Sequence, residues 1–382
     1  MAERRGIVLI TGRWAKDQHP YATAVKLIAI LRPLFDDVTW ILTEQADRQY
    51  PDADGVAITR IRDRYLESPF AVKLLYYLRY QLRLISCILR IDRDQDTLIF
   101  AFGAEFQFPA ILAGKLLGKR IVLRTDGRPS GVIRRYEKGI SIFYIRALEA
   151  VEALVYRAAD RIVPESPSMV HLYGLEKYRR KIEPGGLYVD TRTLVPKKSL
   201  RDRPYRVGYM GRLSTEKGIT ELVEAVPLIC NGDGGRAIII GTGPLRGDVE
   251  RRLSGCGMQE QVVVAGWIED GDVPEYLNNI QIMVVPSYRE GLPIIALESM
   301  ACGCILLATP VGGIPDLIRD GRTGFLLPDN SPASIAAAVQ RIVNRPDLSA
   351  IGRSARELIE RHYTYDAAVE RYRKVFYQQV PE

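Results

Sequence analysis

The feature that most constrains the fold is a repeated alternation between short β-branched runs and amphipathic stretches. In the first half the β-branched runs cover residues 7–10, 38–42, 97–102, 120–123 and 161–163. Amphipathic stretches such as 22–31 and 141–159 lie between them. Parallel strands need a helical crossover to bring the chain back to the same edge, and this alternation is typical of such an array. The pattern predicts an α/β fold with a parallel sheet.

The alternation starts again in the second half, after the basic, proline-bounded connector "VPKKSLRDRP" at 195–204. The later runs cover residues 207–210, 237–240, 262–265, 282–286 and 305–308. A chain of 382 residues is also too long for one ordinary core. We therefore predict two doubly wound, Rossmann-like domains, at 1–190 and 204–358. A C-terminal helix follows at 359–382, and packing back on the N-terminal domain is one option for it.

The first strand of each half ends in a glycine-bearing turn, at Gly12 and at Gly211. In doubly wound sheets, ligands bind outside the carboxyl ends of the strands, close to the turn that follows the first strand. We therefore expect each half to carry a binding surface at this edge, with the two surfaces facing a common cleft.

Net charge and cysteine content limit which binding partners and which cellular compartment are expected. The formal net charge of +7 suits anionic partners such as nucleotides, phospholipid headgroups or nucleic acid, without choosing among them. The five cysteines are odd in number and form no CxxC pair, so a disulfide framework or a zinc site is not expected. No uncharged apolar run reaches 18 residues, and the N-terminal apolar run is too short for a signal peptide. These observations predict a cytoplasmic protein that does not span a membrane.

The stretch "GRLSTEKG" at 211–218 places Gly211, Arg212 and Lys217 between a predicted strand and a helix. It is not a Walker A loop, because six residues separate its glycines and the lysine precedes the second glycine. An arginine fork, a lysine point charge and helix N-terminal N–H groups together suit a diphosphate. A surface turn with solvated cations would explain the stretch if it stood alone.

A second stretch, "PSYREGLPIIALESMACG" at 286–303, places Glu290 and Glu298 around the start of a predicted helix whose first turn holds Pro293. A carboxylate can accept two hydrogen bonds from a vicinal diol, so one acid suits a ribose and the other a sugar ring. Gly291 lets the backbone approach a ligand closely. Either glutamate taken singly is explained by the helix dipole.

Four segments together resemble the nucleotide-sugar half of family 4 retaining glycosyltransferases of GT-B fold. They are "GRLSTEKG", the E-x7-E pair in "EGLPIIALESMACG", "TPVGGIPDLI" and "DGRTGFLLPDN". The resemblance is close from about residue 200 to 380 and looser before that, chiefly in "YRAADRIVPES" and "EPGGLYVD". It implies a hexosyltransferase-type enzyme with an acceptor-binding N-terminal domain and a donor-binding C-terminal domain.

The resemblance also implies a role for each matching residue. Arg212 and Lys217 would bind the donor diphosphate, Glu298 the ribose hydroxyls, and Glu290 the transferred sugar. The remaining donor contacts would come from Gly211, Gly291, Leu292, Pro293 and Gly12.

One position departs from the family pattern. Many family members carry a histidine near the transferred sugar, and "RTDGRPSG" has Asp126 at that place. The predicted catalytic set is therefore Glu290, Arg212, Lys217 and Asp126. No metal and no cofactor is predicted.

The acceptor is the least constrained partner. With the donor taken to be a UDP-sugar, the positive charge points to a lipid-linked glycan or glycolipid acceptor, as in envelope polysaccharide synthesis. The stretch 71–91 places Arg79, Arg83 and Arg90 on one helical face, which is typical of an interfacial helix at the inner membrane face. A domain helix with a solvated basic stripe explains it equally well. Nothing else approaches a basic face with interleaved aromatics, so no nucleic acid is expected.

Other interpretations start from the same residues. A non-catalytic nucleotide-sugar-binding protein on the same fold would share the motifs. A nicotinamide enzyme would use "GTGPLRG" at 241–247, although its third glycine is misplaced. The Asp-x-Asp of "DRDQD" at 92–96 could hold a metal, but the segment is better explained as a charged turn.

Overall fold

The computed structural model describes residues 6–11, 20–45, 55–63, 70–91, 97–102, 107–125, 129–136, 140–230 and 235–378. The chain forms two compact units, one of residues 1–187 with 368–382 and the other of residues 188–367. Each unit contains one six-stranded sheet among the described residues, and every strand pairing in both sheets is parallel.

The first unit alternates strands and helices along the chain. Its strands are β1 (Gly6–Thr11), β2 (Asp37–Gln45), β3 (Ala57–Asp63), β4 (Thr97–Phe102), β5 (Arg120–Thr125) and β6 (Arg161–Pro164). Its helices are α1 (Pro20–Leu31), α2 (Phe70–Ile91), α3 (Phe108–Leu116), α4 (Pro129–Tyr136), α5 (Ile142–Ala158) and α6 (Ser168–Leu172). The strand order is β3-β2-β1-β4-β5-β6, so the sheet is doubly wound with its switch point between β1 and β4.

The second unit repeats this plan. Its strands are β7 (Tyr205–Met210), β8 (Ala237–Ile240), β9 (Val262–Ala265), β10 (Ile280–Val285), β11 (Ile305–Ala308) and β12 (Phe325–Leu326). Its helices are α7 (Ile219–Cys230), α8 (Arg246–Gly255), α9 (Val273–Leu277), α10 (Ile294–Ala301), α11 (Ile314–Leu317), α12 (Pro332–Val343) and α13 (Leu348–His362). The order β12-β11-β10-β7-β8-β9 places the switch point between β7 and β10.

Burial explains why most strands are rich in apolar residues on both of their faces. In the second unit Ile239 belongs to the hydrophobic cluster on one face of the sheet, whereas Ile238 and Ile240 belong to the cluster on the other face. Successive side chains of a strand point to opposite faces, so helices on both faces favour apolar residues at consecutive positions. The prediction of two doubly wound α/β domains is confirmed.

The ten predicted strand segments all fall on observed strands, but the sequence analysis missed β3 and β12. Both are edge strands. β3 carries the sequence AITRIRD, and Arg60 is exposed. An edge strand is covered less completely, so its apolar signal is weaker, and β12 is only two residues long.

The last amphipathic stretch is divided between two helices. After α13 ends at His362, helix α14 (Tyr365–Tyr377) begins, and its residues from Ala368 onward belong to the first unit. Tyr372 and Phe376 of α14 are fully buried against Phe100 of β4. The C-terminal helix is therefore part of the core of the first unit.

Arginines of β5 hold this helix in place. The Arg120 guanidinium donates a hydrogen bond to the carbonyl oxygen of Phe376 at 3.1 Å, close to the C-terminus of α14. Arg124 donates to the Tyr372 hydroxyl and to the carbonyl oxygen of Gly185, and it forms an ion pair with Glu165 at 2.5 Å. A cation near the last carbonyls of a helix is favourable because the C-terminus carries partial negative charge.

Candidate active site

The candidate site lies at the carboxyl edge of the second sheet, where β7 and β10 are neighbours. The loop after β7 carries Arg212 and Lys217, and the loop after β10 carries Glu290. Two parallel neighbours release their following loops at the same edge, and the switch point leaves a crevice between them. Strand order therefore brings together two motifs that are far apart in the sequence.

The loop after β7 packs backbone to backbone on the loop after β8. The Gly211 N–H donates to the Ile240 carbonyl at 3.0 Å, and the Leu213 N–H donates to the Thr242 carbonyl at 2.9 Å. A Cβ on Gly241 would lie 2.0 Å from the Gly211 oxygen, and one on Gly243 would lie 2.4 Å from the Leu213 oxygen. These glycines are required by this packing. The packing of the two loops therefore explains the glycines at the start of "GTGPLRG", and no dinucleotide-binding role is needed to explain them.

Gly218 brings the same loop against the end of β10. It follows the 3₁₀ turn Thr215–Lys217 and has a left-handed φ of 67°. A Cβ there would lie 2.0 Å from the Pro286 carbonyl oxygen, so both the conformation and the space require glycine. Helix α7 begins at the next residue, and the Tyr288 N–H donates to the Glu216 carbonyl at 2.9 Å.

The structure joins Lys217 to Glu290 directly. The Lys217 ammonium lies 2.8 Å from each oxygen of the Glu290 carboxylate. The Ser287 hydroxyl donates a third hydrogen bond to Glu290 at 2.6 Å. The Glu290 side chain is only 8% exposed and that of Lys217 is 30% exposed. Two residues that the sequence assigned to different parts of a donor therefore form one partly buried ion pair.

Arg212 also faces a carboxylate. Its guanidinium lies 3.8 Å from Glu216, which accepts a hydrogen bond of 2.7 Å from the Ser214 hydroxyl. Burial by itself would raise the pKa of Glu216, but this hydrogen bond and the nearby charges of Arg212 and Lys217 hold it below the ordinary value. Glu216 therefore stays ionised at neutral pH, and each of the two site cations has an anionic neighbour.

Tyr209 is buried and lies close enough to Glu290 and Glu216 to feel their charges. Burial raises the pKa of its phenol, and the negative charges of Glu290 and Glu216 raise it further. The protonated hydroxyl donates to the carbonyl oxygen of Arg212 at 2.7 Å. Tyr209 thus fixes the backbone of the residue whose guanidinium faces the site.

The loop that carries Glu290 is held by the two later motifs. The Gly313 N–H donates to the Gly291 carbonyl at 2.7 Å, and Gly312 has a φ of 57°. A Cβ on Gly312 would lie 2.3 Å from the Gly291 oxygen. The Asn330 side-chain amide donates to the Pro286 carbonyl. The Glu290 loop is therefore held by hydrogen bonds from two later motifs, "TPVGGIPDLI" and "DGRTGFLLPDN".

Helix α10 begins at Ile294, so Pro293 precedes it as the N-cap residue and does not lie in its first turn as predicted. The Leu292 side chain is buried in the hydrophobic core at 7% exposure, which leaves its backbone for any ligand contact. Glu298 lies in the second turn of α10 and is half-buried.

Two predicted site residues, Gly12 and Asp126, lie outside the described residues, as does the "DRDQD" segment at 92–96. The described part of the chain reaches Thr11 at the end of β1 and Thr125 at the end of β5. The roles predicted for Gly12 and Asp126 remain predictions. Among the residues that are described, no group of three or more His, Cys, Asp or Glu side chains is arranged to hold a metal ion.

Sequence reasoning missed four residues that shape the site: Ser287, Tyr209, Glu216 and Gly312. Ser287 and Glu216 lie inside the quoted motifs, but nothing in the spacing indicates that Ser287 would donate to Glu290 or that Glu216 would face Arg212. Gly312 is the first glycine of the pair in "TPVGGIPDLI", and a glycine pair before a helix was the available signal.

Comparisons with known proteins indicate the family of the chain. The family described as "Glycosyl transferases group 1" matches residues 190–362. The lipopolysaccharide core biosynthesis mannosyltransferase LpsB of Rhizobium meliloti is 30% identical over 254 residues, covering 63% of this chain and 68% of LpsB. A D-inositol 3-phosphate glycosyltransferase of Acidothermus cellulolyticus is 33% identical over 217 residues, covering 50% of this chain and 48% of that protein. The chain thus spans about two thirds of one relative and about half of the other.

Among solved structures, HepE of Anabaena in complex with UDP superposes with a TM-score of 0.75 at 15% identity. The superposition covers 98% of this chain and 100% of HepE. At this identity the likeness concerns the fold, and it confirms the GT-B architecture predicted from the sequence.

Proposed function

The chain belongs to the glycosyl transferases of group 1, and on that premise we propose that it moves a sugar from a nucleoside diphosphate sugar to an acceptor hydroxyl. We assign it to family 4, with a UDP-sugar as donor and retention of anomeric configuration. The non-catalytic alternative is not favoured, since the matched relatives are named as transferases.

One observation carries the proposal: at the switch point of the second sheet, Lys217 of the loop after β7 is paired with Glu290 of the loop after β10, and the same β7 loop carries a second cation, Arg212. In the proposed complex Arg212 and Lys217 bind the diphosphate, Gly211 lets it approach the backbone, and Glu298 accepts from the ribose hydroxyls. Glu290, with the backbone of Gly291, Leu292 and Pro293, holds the sugar. Gly12 contributes a further donor contact.

The proposed chemistry is mainly electrostatic. The bond between the anomeric carbon and the diphosphate oxygen breaks with its electron pair on the diphosphate, where Arg212 and Lys217 stabilise the growing charge. The acceptor oxygen then bonds to the anomeric carbon on the same face, and its proton passes to a phosphate oxygen of the leaving group. We assign Asp126 to the catalytic set at the transferred sugar.

A thermal-stabilisation screen of nucleoside diphosphate sugars tests the donor class. A ligand at 100 times its dissociation constant adds about 2.7 kcal/mol to the free energy of unfolding, which is readily seen as a higher melting temperature. We expect UDP-sugars to stabilise the protein more than the corresponding sugar monophosphates, because Arg212 and Lys217 can bind both phosphates of a diphosphate. Equal stabilisation by all of these compounds, or none by any, would contradict the assignment.

The surface of α2 supports a lipid-linked acceptor, such as a glycan intermediate or glycolipid of envelope polysaccharide synthesis. Tyr80, Leu84 and Ile88 of α2 are buried in the core of the first unit. The opposite face exposes four leucines, Leu75, Leu78, Leu82 and Leu89, at 67%, 50%, 69% and 51%. Arg79, Arg83 and Arg90 are also exposed.

The two sets form parallel stripes on this face. At 3.6 residues per turn the leucines fall within about 60 degrees of one another and the arginines within about 40 degrees beside them. An apolar stripe next to a basic stripe suits an anionic membrane surface, where leucines enter the headgroup boundary and arginines meet lipid phosphates. No helix in the described ranges is long and apolar enough to cross a membrane. We propose a cytoplasmic protein that docks at the inner membrane face.

Liposome co-sedimentation tests this docking. Changing Arg79, Arg83 and Arg90 together to Gln should weaken binding to anionic vesicles by about 3 kcal/mol, since each basic residue near such a surface contributes about 1 kcal/mol. The effect should fade as salt rises. A control that changes the exposed Arg251, Arg353 and Arg361 of the second unit to Gln alters the net charge equally and should bind like the wild type. Failure of the wild type to bind anionic vesicles at low salt would contradict the docking.

A further inference from the structure

Lys217 and Glu290 are each other's hydrogen-bond partners in the structure. Lys217 donates to both carboxylate oxygens at 2.8 Å, and Ser287 supplies a third donor. The carboxylate is 8% exposed, so little water can replace a lost partner. Removing the cation from a buried ion pair leaves an uncompensated charge, which is strongly unfavourable.

Binding of a diphosphate at Lys217 disturbs this balance; this step rests on the proposed function. When the ammonium turns to a phosphate oxygen, Glu290 loses the two hydrogen bonds from Lys217 and keeps the one from Ser287. A complete donor carries sugar hydroxyls that can donate to the vacated carboxylate oxygens. A nucleoside diphosphate without the transferred sugar keeps only its ribose hydroxyls, which the proposed complex assigns to Glu298, so it offers no donor to Glu290.

We propose that the Lys217–Glu290 pair makes the site discriminate between the complete donor and the spent nucleotide. The donor replaces the partners of both residues, with phosphate for Lys217 and sugar hydroxyls for Glu290. The spent nucleoside diphosphate replaces only the partner of Lys217 and leaves a buried carboxylate short of donors. After transfer, re-formation of the ion pair then favours release of the nucleotide. The exchange involves hydrogen bonds only, and no covalent bond forms or breaks in it.

Isothermal titration of UDP and of the best donor from the stabilisation screen tests this exchange in Glu290→Gln. The amide keeps the shape of the carboxylate but carries no charge to hold Lys217. We therefore expect UDP to bind about tenfold more tightly, the size of effect produced by removing one opposite charge within a few ångströms. The donor should not gain in proportion, because an amide oxygen accepts hydroxyl hydrogen bonds less strongly than a carboxylate. The ratio of the UDP dissociation constant to the donor dissociation constant should fall.

Glu216→Gln is the matched control. It removes a negative charge from the same site, but from a carboxylate whose direct partners are Arg212 and Ser214, so the hydrogen bonds between Lys217 and Glu290 stay in place. UDP and the donor should both gain affinity by the same factor, so the ratio between their dissociation constants should stay at the wild-type value.

Ser287→Ala provides a variant with the opposite expected sign. It keeps the ion pair but removes the one donor that Glu290 retains when Lys217 leaves. UDP should bind several-fold more weakly and the ratio should rise. An unchanged ratio in both Glu290→Gln and Ser287→Ala would overturn the exchange alone. Absence of binding of any nucleoside diphosphate sugar to the wild type would overturn the proposed function, and this inference with it.

Discussion

Replacing Arg212 or Lys217 with alanine is expected to lower the turnover number by a factor on the order of 100 or more. Both cations are proposed to stabilise charge that grows on the leaving diphosphate, and losing one such group typically costs about that factor. The measurement is steady-state release of UDP from the donor.

The two variants should differ in stability. Glu216, the anionic neighbour of Arg212, is 48% exposed, so Arg212→Ala should leave the melting temperature nearly unchanged. Lys217→Ala leaves the buried Glu290 carboxylate without its cation and should lower the melting temperature. Arg251→Ala, an exposed substitution on α8 of the same unit, should match the wild type in turnover. Near wild-type turnover in the double variant of Arg212 and Lys217 would contradict the assigned roles.

Replacing Arg124 with alanine is expected to lower the free energy of unfolding by about 3–5 kcal/mol, the usual cost of breaking a buried ion pair on one side. The Arg124 side chain is fully buried and its partner Glu165 is 12% exposed. The same substitution removes the hydrogen bonds to Gly185 and Tyr372, and with them the attachment of α14 to β5. Urea denaturation followed by circular dichroism measures the change.

Arg120→Ala is the control for this substitution. Arg120 lies on the same strand and donates to the Phe376 carbonyl of the same helix, but its side chain is only partly buried, whereas that of Arg124 is fully buried. Removing the Arg120 side chain should lower the free energy of unfolding by about 1 kcal/mol, the net value of an ordinary hydrogen bond. If Arg124→Ala is as stable as Arg120→Ala, the buried network does not hold the C-terminal helix as described.

The fold could be predicted from the sequence because the internal strands are buried on both faces and are therefore rich in apolar residues. Such strands as 97–102 are visible without any knowledge of their partners. The edge strand β3 pairs on one side only, so its composition is less restricted and its pattern less distinct.

The sequence indicated individual site residues but not the contacts between them. The resemblance named Lys217 and Glu290 separately, although they are 73 residues apart and bonded to each other. That contact depends on β7 lying beside β10, and strand order is a tertiary property that periodicity does not contain. The contact between Arg124 and Tyr372 spans 248 residues, and no local pattern marks either residue as a partner. Roles that depend on residue type could be read from the sequence, whereas ion pairs between loops could not.

We propose that the two loops at the β7–β10 switch point carry out a retaining transfer from a nucleoside diphosphate sugar. The most direct test is time-resolved proton NMR of the protein with a UDP-sugar and no added acceptor, so that water takes the sugar slowly. If the transfer is retaining, UDP is released and the first free sugar has the anomeric configuration of the donor. Lys217→Ala should abolish this release. Intact donor after prolonged incubation, or first-formed sugar of the opposite configuration, would contradict it.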